Sequence, residues 1–215
     1  MNDQERAELH LRTIRRLMER ATIYSAISSP TALAGGLLSL AASALLVIHN
    51  AHAEPGIHFT LLVWLAVLLL TVATNIAFIF SGAARRGEPV FSGSLKAAMA
   101  ALAPPLLVAA CLSVFYVCIG LDDLCLFGIT WAACYGLGLL ATSHFAPRSL
   151  KILGWTFLLT ALLAIFAMSF GRDPLRHLNW YRLGILFMAL TFGLYHLVYA
   201  ICTWPRSGTE PGTEA

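Results

Sequence analysis

Residues 59–81 read FTLLVWLAVLLLTVATNIAFIFS, twenty-three consecutive positions without a charged side chain. A helix rises 1.5 Å per residue, so ~20 residues cross the ~30 Å hydrocarbon core of a bilayer. Inside hydrocarbon every backbone polar group must be satisfied internally, which leaves a helix or a closed barrel. A barrel strand would alternate apolar and polar residues over ~10 positions, and no such alternation is present. The stretch therefore predicts a membrane-spanning helix.

Five further runs of similar length follow the same logic: 31–48, 97–119, 124–145, 150–170 and 183–204. The expected fold is all-α: a polytopic transmembrane helix bundle with six spans in three hairpins. Composition agrees. The 215 residues are 59% hydrophobic and 12% charged, about half the charge of a water-soluble domain. One domain, 31–204, would use nearly the whole chain.

Residues 1–30 are too charged to enter the membrane. Ala7, Leu11, Ile14, Met18 and Ala21 draw one apolar stripe at spacings of four and three, the pattern of an amphipathic helix lying in the interface. Ser28-Ser29-Pro30 would end it and start the first span. The tail, 205–215, lacks apolar content and is expected to be disordered.

Sidedness follows from the basic residues. Eleven of the fourteen Lys and Arg lie in the first segment, the second and fourth loops and the tail. The other three, Arg172, Arg176 and Arg182, fall in or beside the fifth loop. The positive-inside rule then places both termini in the cytoplasm of a bacterial-type inner membrane. Ala51-His52-Ala53 also fits a signal-peptidase site, but the preceding apolar run has span length, which favours a retained helix.

Two polar groupings are candidate sites. Asn75 and His196 lie inside the second and sixth spans, at similar distances below the midplane, with Tyr199 one turn beyond His196. An ionisable residue within a span is a functional candidate. The three would meet if those spans are neighbours. The structural alternative is a histidine that ties helices together by a hydrogen bond. The second grouping is in the outer loops: His49, His52, His58, Asp122, Asp123 and His177. Imidazole and carboxylate suit transition metals, although the His spacing matches no strong metal signature. Cys118 and Cys125 flank the third loop, where a disulfide is feasible. Pro104-Pro105 predicts a kink or a late start in the third span.

The sequence has no phosphate-binding glycine loop, no HExxH, no GxSxG and no mid-span carboxylate. No catalytic residue, cofactor or metal ligand is assigned. Basic residues are not interleaved with aromatics, so nucleic acid is not an expected partner. The expected partners are the lipid bilayer and a second copy or another membrane protein. The expected role is non-enzymatic: a scaffold, sensor or accessory subunit. A small permease or channel for a neutral or weakly charged solute is the alternative, followed by a redox or metal-handling protein.

Overall fold

The computed structural model describes residues 29–52, 56–86, 93–121, 123–142, 147–170 and 179–204. The expected interfacial helix and tail lie outside these residues. The described chain forms six long helices, and no strand occurs among the described residues. They are α1 (Ser29–His52), α2 (Ile57–Arg86), α3 (Gly93–Cys118), α4 (Leu124–Ala141), α5 (Arg148–Phe170) and α6 (Trp180–Thr203). Each is long and apolar enough to cross a membrane. The protein is a polytopic transmembrane helix bundle.

Local chemistry sets the helix ends where they differ from expectation. α6 begins at Trp180 because the Asn179 side chain accepts from the N–H groups of Tyr181 and Arg182, filling donors that have no intrahelical partner. Asp123 caps α4 in the same way through Leu126 N–H at 3.1 Å, at the expected start, Leu124. α3 starts at Gly93, earlier than expected, and runs unbroken through Pro104 and Pro105. The prolines therefore do not mark a late start. Gly120 adopts φ 68°, the left-handed region open to glycine, in the tight turn between α3 and α4.

Glycines decide which helices touch. α4 is the hub, packed against α3, α5 and α6. At the α4–α5 crossing a Cβ on Gly136 would lie 2.8 Å from Gly154 O and from Leu158 N. A Cβ on Gly184 would lie 2.8 Å from the Cys125 backbone N, so α6 crosses the start of α4 with equal closeness. Small residues allow this approach, and close packing is what drives helix association where lipid is as apolar as leucine.

α1 rests on α6 on one side and on α2 on the other. Its adjacent glycines face opposite neighbours. A Cβ on Gly35 would meet Thr71 of α2 at 3.1 Å, and one on Gly36 would meet Gly193 O of α6 at 3.0 Å. Ser29 Oγ donates to Thr203 O at 2.7 Å, which ties the start of α1 to the end of α6. At the opposite end, the Thr60 hydroxyl of α2 is hydrogen-bonded to the Tyr181 hydroxyl of α6. α2 and α3 present their leucines, valines and phenylalanines outward; Leu62, Leu69, Leu107 and Val114 are all more than half exposed. Lipid tails are the medium such a surface requires.

Candidate intramembrane site

α6 carries the site through an irregularity in its backbone. Its first part, Trp180–Met188, and its last, Tyr195–Thr203, are α-helical, with a π segment at Ala189–Leu194 between them. There the Tyr195 N–H bonds Leu190 O, five residues back. Widening the turn frees carbonyl oxygens, and π turns recur at functional positions. Side chains take up some of this capacity: Thr191 Oγ1 donates to Phe187 O at 2.8 Å, and His196 Nδ1 lies 3.0 Å from Phe192 O.

The second contact fixes the role of each His196 nitrogen. A carbonyl can only accept, so Nδ1 carries the proton. In the neutral imidazole Nε2 is then the acceptor. Tyr135 OH of α4 is 3.0 Å from Nε2 and donates to it. Both ring nitrogens are thus satisfied within the bundle, linking α6 to α4.

A shell of rings surrounds this pair. Phe157 of α5 is fully buried, with its ring 4.9 Å from Tyr135, 5.2 Å from Phe192 and 5.5 Å from His196, centre to centre. Most of these pairs are tilted or edge-on, the arrangement favoured by the aromatic quadrupole. Tyr195 stands edge-on to Phe157 and hydrogen-bonds Thr160 Oγ1 of α5 at 2.8 Å. Two hydrogen bonds within a ring cluster therefore join α4, α5 and α6.

Only part of the expected trio assembles. His196 and Tyr199 share α6, and Tyr199 is buried. Asn75 is on α2, which leans on α1, and α1 lies between it and α6. Asn75 Oδ1 is buried without a hydrogen-bond partner. The residues that complete the His196 cluster, Tyr135, Phe157, Thr160, Phe192 and Tyr195, were not singled out from sequence. A mid-span tyrosine that needs a partner in hydrocarbon was the available signal for Tyr135.

The outer-loop residues are placed as follows. His49 of α1 packs against Phe59 of α2, ring centres 4.6 Å apart and planes tilted by 37°. His52 is in the last turn of α1 and His58 in the first of α2. Asp123 is occupied as the α4 cap. Asp122 and His177 lie outside the described residues. Among the described residues no group of three His, Cys, Asp or Glu is placed to hold a metal ion. Cys118 is exposed, Cys125 is buried, and both thiols are free, so the feasible disulfide is not formed.

α3 is tied to α4 by similar polar contacts. Trp131 Nε1 donates to Ser113 Oγ at 2.9 Å, and the Tyr116 and Thr130 hydroxyls are 3.2 Å apart. Compared with known proteins, the chain matches no family model, no curated protein and no solved structure.

Proposed function

We propose that the chain is a non-enzymatic integral protein of a bacterial-type inner membrane, a scaffold or accessory subunit with both termini in the cytoplasm. The supporting observation is the state of His196. It is the ionisable side chain set deepest among the polar candidates, and its two nitrogens are consumed by Tyr135 and Phe192 O. A histidine that binds a solute needs a free nitrogen facing a path. This one faces the aromatic core, which supports a role in holding helices together. The polar contacts of α3 and α4 are likewise internal.

The N-terminal segment, with its apolar stripe and five arginines, is the part suited to engage a partner at the membrane surface. Affinity purification of the full chain and of a chain lacking residues 1–27, both from native membranes, tests this. The expected result is normal insertion of both and co-purification of a defined partner with the full chain alone. Identical recovery from the two chains contradicts the role given to the segment.

A small permease is the second reading, and the unpartnered Asn75 Oδ1 is the observation that favours it. An acceptor buried in hydrocarbon without a donor is costly unless something visits it. Solute flux through reconstituted vesicles, compared between the unmodified chain and Asn75→Leu, separates the readings. Equal flux supports the scaffold; loss of flux supports the permease.

A further inference from the structure

The α1–α2 hairpin meets the rest of the bundle chiefly through α6, and α6 changes register halfway along. The π segment holds one residue more than the same rise of α-helix. Everything beyond it is turned by about 100°, the rotation per residue of an α-helix. Past the segment, each residue occupies the place its predecessor would hold in a straight helix.

The sequence also codes for the straight helix. Tyr181, Ile185, Met188, Phe192, Tyr195 and Tyr199 alternate at spacings of four and three, an unbroken stripe of the kind that packs one helix along another. In a straight α6, Tyr199 would stand where Ala200 stands, and within the segment Phe192 would turn toward the place of Gly193. The π register presents the small residues instead. A Cβ on Gly193 would lie 2.6 Å from Leu40 Cδ2 of α1, and Ala200 is fully buried. Neither place admits an aromatic ring while α1 is docked, because packed interiors have no spare volume of that size.

We propose that the π segment is a docking switch for the α1–α2 hairpin. In the π register, Gly193 and Ala200 receive α1, His196 reaches Tyr135, and Thr203 reaches Ser29. In the straight register, Tyr195 takes the place of His196, Cys202 that of Thr203, and the rings of Phe192 and Tyr199 move the hairpin away from α6. The less favourable π turn is held by contacts that exist in that register alone: the Tyr135–His196 bond at 3.0 Å and the Ser29–Thr203 bond at 2.7 Å. At the other end the Thr60–Tyr181 bond and the buried cluster of Leu46, Trp64, Ile185 and Met188 lie on the part of α6 whose register does not change, so the hairpin would pivot there. The switch requires no partner and stands apart from the scaffold reading.

Distance measurement between spin labels at the exposed Leu69 of α2 and Leu163 of α5 tests this in the full chain in lipid nanodiscs. Attachment by non-cysteine chemistry keeps the native thiols. The expected result is a dominant short distance and a minor long one. Tyr135→Phe removes a bond of the π register alone and should raise the long-distance population about fivefold, the worth of one interhelical hydrogen bond in a bilayer. Deleting Leu190 leaves an ordinary α-helix in the docked orientation and should abolish the long distance. A single distance in both the unmodified chain and Tyr135→Phe overturns the switch. So does a long-distance population that survives the deletion.

Discussion

α2 and α4 are both apolar enough to cross the membrane, yet half of α4 is buried inside the bundle against 6% of the most apolar stretch of α2. The difference does not come from apolarity. It comes from small residues. α4 carries Gly128, Gly136 and Gly138, and each faces a neighbour at contact distance: Met188, Gly154 and Leu102. The intramembrane part of α2 has no glycine before Gly82 and offers leucine and valine to lipid. Apolarity selects the membrane; small residues select the neighbour. α4 is consequently a hub and α2 an appendage, held by α1, by Trp64 in a buried cluster with Leu124, Phe127, Ile185 and Met188, and by one hydroxyl pair.

The comparison is broken most severely by changing the α4–α5 crossing. Gly136→Leu puts a side chain where a Cβ alone would sit 2.8 Å from two backbone atoms of α5. The expected cost is more than ~3 kcal/mol, near the limit of what the fold tolerates, read as loss of the folded fraction in mild detergent. Phe157→Ala should follow at about 3–5 kcal/mol, because it empties the ring cluster; denaturant titration in micelles measures it. If either change is as mild as an α2 substitution, the hub assignment fails.

Smaller effects sharpen the contrast. His196→Ala and Tyr135→Phe should each cost about 1 kcal/mol or slightly more by thermal unfolding. On the appendage, Asn75→Leu should be neutral or stabilising by up to ~1 kcal/mol, since it removes a buried acceptor that has no partner. Leu69→Ala, at a lipid-facing position, should stay within about 0.5 kcal/mol. A large loss at Asn75 would show that the residue is bonded in the membrane and that α2 is more than an appendage.

Six spans were legible because bilayer crossing is a one-dimensional property: length and absence of charge suffice, and residues 59–81 display both. The start of α4 at Leu124 was legible too, but that of α6 was less so, since Asn179 acts as a cap through geometry that composition does not reveal. Helix order was not legible. Depth matching brought Asn75 to the level of His196, but α1 lies between them, an outcome decided by the back-to-back glycines Gly35 and Gly36. The π segment was hidden for a related reason. The stripe through Ile185, Met188, Phe192 and Tyr195 reads as one continuous α-helix, and the fit of Gly193 against Leu40 is a tertiary fact that overrides it.

The central claim is that His196 acts as a structural tie between α6 and α4. A double-mutant cycle of Tyr135→Phe and His196→Ala, read by unfolding free energy in lipid nanodiscs, tests it most directly. The account predicts a coupling of about 1 kcal/mol, with the double variant little worse than either single one. Additive losses with no coupling would contradict it and return His196 to the candidates for a functional, rather than structural, group.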